Sequence, residues 1–379
     1  MSHGAEGRMT RLDTTRTLYD PALSYDENYR RGPGERWVAS TDASPSSVPG
    51  QGGSTERFCG LPVRGAFGIP AGPLLNAAYV RAAFRAGFDV NVYKTVRSCE
   101  YPVHPAPNVL SVHIPAGLTH WAPSLRALAD TRFESPLSIC NSFGVPSRTP
   151  DEWQPDLARA VESAGEGQLT VGSFQATPRE GAGRTAFLAD HAATARLVVE
   201  TGARMLELDA SCPNEGTGNL LCFDAATLAA ACGAIREEIG DRPFGVKLSY
   251  FPDQERLSTV IRETSGLVDY YAAINTLPAT LVDASGAQAL PGSGRAVGGV
   301  CGAAILPASL DMVRRLDALR RELGAEFEIC GVGGVTTAAD ARRLKEAGAD
   351  AVMSATGAMW NPDLAEQVRA GRAAEPSRG

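Results

Sequence analysis

The chain has 379 residues, of which 44% are hydrophobic, so it is long enough to bury a sizeable core as one large domain or two ordinary ones. Its formal net charge of -7 and the lack of a dense Lys/Arg cluster argue against a nucleic-acid partner, because phosphate backbones bind basic patches. No apolar run reaches the roughly 18 residues of a membrane span, so we expect a soluble protein that acts on a small molecule and has no membrane partner.

The N-terminus and the cysteines predict a cytoplasmic location. Residues 1–17 are polar and contain no apolar segment like that of a secretory signal peptide. The cysteines are found at positions 59, 99, 140, 212, 222, 232, 301 and 330, and no two of them form a C-x-x-C pair. We therefore expect reduced thiols and no zinc, iron–sulfur or other metal centre.

The first predicted element in chain order is an N-terminal arm. Residues 1–58 are rich in Gly, Pro, Ser and Thr, most clearly between 31 and 56, and they show little apolar periodicity. We predict a polar, irregular and partly extended arm at 1–58, one barrel domain at 59–372 and a short tail at 373–379.

From residue 59 onward, short apolar runs alternate with amphipathic helical stretches, which is typical of βαβ units and a parallel sheet. Helices are predicted to end at Gly87, Gly202 and Gly348, each just before a strand, because glycine tolerates the left-handed conformation of a helix C-cap. The predicted strands are 66–69, 90–93, 169–174, 205–208, 244–248, 271–274, 327–330 and 351–353.

The sequence also indicates where two of the helices begin. Asp224 can cap a helix that ends at Gly240, and Thr336 or Thr337 can cap a helix that ends at Gly348.

Eight βα units are the number that closes a barrel, so we predict an α/β protein with a (β/α)8, or TIM, barrel. Catalytic groups in such barrels come from the C-terminal ends of the strands. The segments 97–168 and 276–306 are too long for simple loops, and we expect them to cover this active face.

Chemically useful side chains follow several of the predicted strands. The strand 205–208 runs into Asp209-Ala210-Ser211-Cys212-Pro213-Asn214, which places a thiol between polar side chains. Lys94, Asn141, Lys247 and the pair Asn275-Thr276 each follow an apolar run of their own. Glycine clusters at 298–302 and 331–334 suit a phosphate, because tight turns and helix N-termini present backbone N–H groups to an anion.

Together these segments resemble the dihydroorotate dehydrogenase family and its relative, the pyrimidine-reducing domain of dihydropyrimidine dehydrogenase. Each segment is short, and their order and spacing make the resemblance specific. The markers are Ala71-Gly72-Pro73, Tyr93-Lys94-Thr95, Asn141-Ser142-Phe143-Gly144-Val145-Pro146, Ser211-Cys212-Pro213-Asn214, Gly245-Val246-Lys247-Leu248, Ile274-Asn275-Thr276, Gly298-Gly299-Val300-Cys301-Gly302 and Gly331-Val332-Gly333-Gly334-Val335.

The resemblance implies an FMN across the top of the barrel, with a substrate ring stacked on one of its faces. Hydride moves between a substrate carbon and the flavin, Cys212 matches the base that exchanges a proton with the neighbouring carbon, and Lys247 matches a cation beside the flavin ring. It implies cofactor binding by Ala71, Gly72, Lys94, Lys247, Asn275, Gly299, Gly302, Gly333, Gly334, Ala355 and Thr356. It implies substrate binding by Lys94, Asn141, Phe143, Gly144, Val145, Asp209, Asn214, Asn275 and Thr276. A cysteine base resembles the cytosolic class of the family, whose members are commonly homodimers.

The chain departs from the family pattern at two positions. Asp209 stands where the family has an asparagine, and a carboxylate only accepts hydrogen bonds, so a substrate carbonyl would meet repulsion there. A ligand that presents an N–H or a positive charge would fit better, and the charge of Asp209 would also raise the pKa of a nearby Cys212 thiol. Ala355-Thr356 replaces a Gly-Thr pair at the phosphate, a small change that leaves phosphate binding plausible.

Other interpretations remain open for these residues. Cysteines are more often structural than catalytic, average lysines are solvated, and isolated asparagines commonly lie in turns. Lys247 could instead form a Schiff base in a non-redox, phosphate-binding barrel lyase or aldolase. The departures at positions 209 and 355 would also suit a catalytically silent flavoprotein.

Overall fold

The computed structural model describes residues 12–14, 16–39, 56–114, 124–179, 181, 183–211 and 220–373. The predicted base Cys212, the predicted substrate ligand Asn214 and most of the predicted tail lie outside the described residues.

Strands and helices alternate along most of the described chain. The strands are β1 (Glu56–Phe58), β2 (Leu61–Val63), β3 (Phe67–Ile69), β4 (Val90–Val96), β5 (Val109–His113), β6 (Arg126–Asp130), β7 (Ser138–Asn141), β8 (Leu169–Phe174), β9 (Met205–Asp209), β10 (Phe244–Leu248), β11 (Tyr270–Ala273), β12 (Leu277–Val282), β13 (Val297–Gly302), β14 (Glu328–Val332) and β15 (Ala351–Met353). The helices are α1 (Tyr25–Arg31), α2 (Glu35–Ala39), α3 (Ala77–Arg85), α4 (Pro150–Glu162), α5 (Arg184–Glu200), α6 (Ala225–Ile239), α7 (Gln254–Thr264), α8 (Leu306–Leu323), α9 (Ala338–Glu346), α10 (Thr356–Trp360) and α11 (Leu364–Ala373).

Eight parallel strands close into a barrel in the order β3-β4-β8-β9-β10-β11-β14-β15, with helices between them. Every predicted strand overlaps one of these eight, and the predicted (β/α)8 barrel is confirmed. The strands are buried almost throughout because one face fills the barrel interior and the other packs against the helices.

The helix ends show why the elements begin and stop where they do. Gly87, Gly202 and Gly348 have φ angles of 87°, 85° and 114°, as predicted for glycines that end helices. Asp224 caps α6 by accepting a hydrogen bond from the Thr227 N–H at 3.0 Å. Thr337 caps α9 in a reciprocal pair with Asp340, so it is the second of the two predicted threonines that begins this helix.

The two long segments between barrel strands fold together into one unit. Strands β5, β6 and β7 come from the first segment and β12 and β13 from the second, and together they close a second, five-stranded barrel. The parallel contact of β12 with β6 and the antiparallel contact of β13 with β7 join the two segments. This small barrel covers the C-terminal end of the large one, as predicted.

Two further parts pack on the large barrel. The β1–β2 hairpin places Phe58 and Val63 among the apolar residues of the barrel interior and closes its N-terminal end. The N-terminal arm forms the two short helices α1 and α2, and its side chains Leu18 and Trp37 are fully buried. Within the described ranges, no helix is long and apolar enough to cross a membrane.

Candidate functional site

A cavity lies at the C-terminal end of the large barrel, beneath the five-stranded barrel, and the empty space between its walls, part of it open to solvent, is about 730 Å³. Its wall includes the predicted residues Ala71, Gly72, Asn141, Phe143, Lys247, Asn275, Thr276, Gly302, Gly333, Gly334, Ala355 and Thr356. The cavity is also lined by residues to which the sequence assigned no binding role, although five of them belong to the family markers: Tyr19, Pro70, Pro73, Val109, Ile139, Ile274, Cys301, Ile305, Val332, Val335 and Met359. The sequence therefore predicted most polar residues of the cavity wall but missed most of its apolar residues.

The other predicted residues have different places. Lys94, Gly144, Val145, Asp209 and Gly299 do not line this cavity. Gly144 follows the wall residue Phe143 in the chain, and Asp209 and Gly299 pair in the sheets with the wall residues Lys247 and Asn141. Gly299 lies directly behind the wall, because a Cβ added there would come within 2.2 Å of the Thr276 hydroxyl. Lys94 is 7% exposed, and its N–H donates to the Leu74 carbonyl at 3.0 Å.

Lys247 brings a cation to the cavity wall. It is 4% exposed, and its Nζ lies 3.4 Å from the carbonyl oxygen of Ala71, another residue of the wall. It pairs in register with Asp209 on the neighbouring strand, so the two side chains project from the same face of the sheet. The barrel thus presents a positive and a negative side chain next to each other at its C-terminal end.

Asp209 belongs to a hydrogen-bond network that shapes the start of the loop after β9. Its Oδ1 accepts hydrogen bonds from the N–H and the hydroxyl of Ser211 at 3.2 and 3.0 Å. The Asn275 amide donates to the carbonyl and the hydroxyl oxygens of the same serine at 3.2 and 3.0 Å. Ser211 therefore leads the chain into Cys212 from a fixed position between two predicted substrate ligands.

The segment Phe143-Gly144-Val145 has an unusual backbone. Gly144 and Val145 have φ angles of 79° and 49°, and a left-handed conformation is costly for a β-branched residue. Arg97, which is fully buried, donates from Nε to the Val145 carbonyl at 3.0 Å and from Nη1 to the Ala176 carbonyl at 2.9 Å. Arg97 follows the predicted lysine motif by only three residues, but nothing in the sequence marks it as the support of this loop.

The glycine-rich end of the cavity contains an unsatisfied hydroxyl. Gly334 has a φ of 81°, and a Cβ there would lie 2.4 Å from the Cα of Leu306, so only glycine allows this close approach to α8. Thr356 is buried, and its hydroxyl, which lies beside the Cys301 thiol, makes no regular hydrogen bond among the described residues. A buried hydroxyl without a partner is uncommon in native proteins and is suited to accept or donate to a bound group.

Glu207 is a buried acid inside the barrel, two residues before Asp209 on the same face of β9. It is 1% exposed, and its Oε2 accepts a hydrogen bond from the Tyr270 hydroxyl at 3.2 Å. Its Oε1 has no partner in the part of the chain that the structure describes. Burial raises the pKa of the Glu207 carboxyl to about 7, against the opposing effect of the Lys247 cation. The signal for this buried acid in the sequence was a charged residue within the apolar run of β9.

Cys301 also lines the cavity, so it competes with Cys212 for the role of a reactive thiol. Burial raises the pKa of its thiol to about 11, which leaves it protonated at neutral pH. Among the described residues, no three His, Cys, Asp or Glu side chains come together as a metal site.

Comparisons with known proteins give one family. The sequence model of the dihydroorotate dehydrogenase family matches residues 130–372. A dihydroorotate dehydrogenase of Dictyostelium discoideum is 30% identical over 360 residues, which cover 92% of this chain and 95% of that protein. Catalytic subunits of dihydroorotate dehydrogenase B (NAD(+)) match over about half their length. The subunit of Maridesulfovibrio salexigens is 30% identical over 45% of this chain and 54% of its own, and that of Methanopyrus kandleri is 38% identical over 40% and 48%.

Proposed function

This chain belongs to the dihydroorotate dehydrogenase family and is a flavin-dependent oxidoreductase, and from this premise we propose that it binds FMN in the cavity. We propose further that it transfers hydride between FMN and a C–C bond of a dihydroorotate-like or dihydropyrimidine-like ring. The observation that carries the proposal is the buried Lys247 cation in the wall of a cavity that also presents Asn141, Asn275 and Thr276.

The residues of the cavity fit a flavin phosphate at one end and a flavin ring at the other. Thr356 offers a buried hydroxyl that makes no regular hydrogen bond in the described chain, and Gly333 and Gly334 line the same cavity. Lys247 offers a positive charge to a group that becomes negative on reduction. Bound FMN supplies the acceptor and donor of the hydride, which no side chain of the protein provides.

The protein's own residues would bind the substrate and move its proton. Amide and hydroxyl groups both donate and accept, so Asn141, Asn275 and Thr276 suit a flat ring with C=O and N–H groups. Cys212 follows Ser211 directly, and we assign it the role of base in the oxidation of the substrate. Its thiolate takes a proton from the ring carbon next to the one that loses hydride, and the thiol returns that proton in the reverse direction.

Anaerobic mixing of the purified protein with candidate dihydropyrimidines tests this function. The compounds tested include dihydroorotate. We expect a yellow protein whose flavin absorption bleaches with at least one of them. A colourless protein that borohydride inactivates through Lys247 in the presence of a carbonyl substrate would instead indicate a lyase or aldolase. A yellow protein that no dihydropyrimidine bleaches would contradict the proposed reaction and leave only the flavin site.

The Asp209 carboxylate should give this protein a different substrate preference from that of a variant with asparagine at this position. Asp209→Asn should strengthen orotate binding by about tenfold or more, because it removes a negative charge that lies next to the wall residue Lys247 and opposes an anionic ligand. Flavin absorption during titration with orotate, uracil and amine-bearing analogues measures this change. Asp209→Glu is the matched control, since it keeps the charge and should keep orotate binding weak. Tight orotate binding by the wild type would show that the carboxylate does not oppose this ligand.

A further inference from the structure

The loop between β12 and β13 places a buried arginine against the start of the predicted substrate segment. Arg295 is 6% exposed, and its Nη2 donates to the carbonyl and the hydroxyl oxygens of Ser142 at 3.1 and 3.0 Å. Ser142 stands between Asn141 and Phe143, and both of these residues line the cavity. Arg295 itself does not line the cavity, so it holds the wall through the residue between them.

The same guanidinium joins the two long segments to each other. Its Nη1 donates to the carbonyls of Pro105 and Pro291 at 2.8 and 2.6 Å. Pro105 and Ser142 belong to the first long segment, whereas Pro291 and Arg295 belong to the second. Because the donors of an arginine form a planar fork, one side chain fixes three separate backbone positions, which the single nitrogen of a lysine cannot do in the same geometry.

The stretch that follows is also held by groups that do not line the cavity. The His104 N–H donates to the Phe143 carbonyl at 3.0 Å, and Arg97 donates to the carbonyl at the far end of the substrate segment. Burial and the Arg295 cation both lower the pKa of His104, so its ring is neutral at pH 7. At the Ser142 end, the positive charge is therefore that of Arg295.

The Arg295 charge is buried without an anion beside it. Its acceptors are three carbonyls and one hydroxyl, and among the described residues it forms no ion pair with a carboxylate and its Nε has no hydrogen-bond partner. Burial lowers the pKa of Arg295, but a guanidinium stays protonated in proteins. The carbonyl of Ser142 belongs to the peptide group that leads into Phe143, so the charge lies one peptide group from the cavity wall. A buried cation in this position favours a negative group in the cavity.

We propose that Arg295 is a positioning residue for the substrate, which holds Asn141 and Phe143 in their binding geometry and whose charge favours a ligand with a carboxylate. This inference rests on the proposed function, because that function assigns the substrate to this cavity. The charges of Arg295 and Asp209 then act in opposite directions on an anionic ligand, and the ligand preference depends on both.

Titration of the flavin-loaded protein with orotate and with uracil, followed by flavin absorption, tests the proposal. In Arg295→Gln we expect orotate to bind about tenfold more weakly, because both the charge and the fork are lost. Uracil has no carboxylate and loses only the positioning, so its binding should weaken about threefold. Arg295→Lys keeps the charge without the fork, so both ligands should bind about threefold more weakly and the ratio of their affinities should stay that of the wild type.

The FMN content and the absorption spectrum without ligand should match those of the wild type in both variants, which a general loss of structure would not allow. Arg236→Gln is the matched control, because Arg236 donates to the carbonyls of Leu267, Gly240 and Arg242 at the opposite end of the barrel strands. Its orotate and uracil affinities should be those of the wild type. Thermal unfolding of each variant measures what the substitution costs the fold.

The possible results separate this inference from the proposed function. If the wild type binds neither ligand, both fail. If the wild type binds orotate or uracil and Arg295→Gln binds it equally tightly, only the assignment of Arg295 fails. Equal losses of affinity for the two ligands would overturn the role of the charge, and a loss of FMN would show that Arg295 serves the fold instead. If Arg295→Gln does not fold, wild-type affinities in Arg295→Lys overturn the positioning role.

Discussion

Replacement of Cys212 with alanine is expected to slow flavin reduction by a dihydropyrimidine about 10²- to 10⁴-fold, the usual contribution of a positioned general base. The reason is that the substrate carbon must lose a proton as its neighbour loses hydride, and the variant has no group at position 212 that can take it. The Cys301 thiol cannot substitute, because burial raises its pKa to about 11 and few molecules carry the thiolate at neutral pH.

Stopped-flow mixing without oxygen, with the flavin absorption as the signal, measures the rate of this half-reaction. In the wild type the rate should rise with pH toward the range in which a thiol ionises, near 8.5 for an unperturbed cysteine, and this rise should be absent from Cys212→Ala. Cys99→Ala is a suitable control, since Cys99 is half-buried and does not line the cavity. Equal rates in Cys212→Ala and the wild type would remove the thiol from the mechanism.

The barrel was predictable because its signals are local. Each strand is a short apolar run, and glycines at positions 87, 202 and 348 mark the ends of helices without reference to the rest of the chain. The polar residues after these strands were predictable for the same reason, since parallel strands bring their C-terminal ends to one face. Lys247, Asn275 and Thr276 therefore meet at one cavity although they come from different βα units.

The remaining features depend on contacts between distant segments. The five-stranded barrel forms only when β12 pairs with β6, and four of the eight strands of the large barrel lie between these two strands in the chain. Tyr19 and Trp37 are single aromatic residues in a segment without periodicity, so the sequence does not show that they are buried. The sequence does not show that Arg97 supports the Val145 carbonyl, because this contact forms only in the folded protein.

The interior of the barrel carries a linked set of charges next to the cavity. Lys247 and Asp209 pair across β10 and β9, and Glu207 lies one step deeper on β9. The Lys247 cation lowers the pKa of Glu207 and the Asp209 charge raises it, while the Tyr270 hydroxyl donates to its carboxylate. Burial has the largest effect of all, so the barrel interior favours the protonated form of Glu207.

Glu207→Gln is therefore expected to stabilise the protein above pH 7 by up to about 3 kcal/mol, with almost no effect below pH 4.5. The pKa of this carboxyl is about 7 in the folded protein and 4.5 as its ordinary value, so the folded state binds the proton more tightly. The stability that this proton contributes is fully present below pH 4.5, falls as the pH rises, and is lost above pH 7. Glutamine mimics the protonated acid at every pH and so avoids that loss.

Urea denaturation of the wild type and the variant at a series of pH values between 4.5 and 8 measures the difference in the free energy of unfolding. Glu263→Gln, which changes an exposed glutamate on α7, controls for the general loss of one negative charge and should show a small difference with little dependence on pH. A constant difference across the range for Glu207→Gln would mean that the carboxyl keeps an ordinary pKa. In that case Lys247, and not burial, would determine its charge, and the two would form a permanent ion pair beneath the cavity.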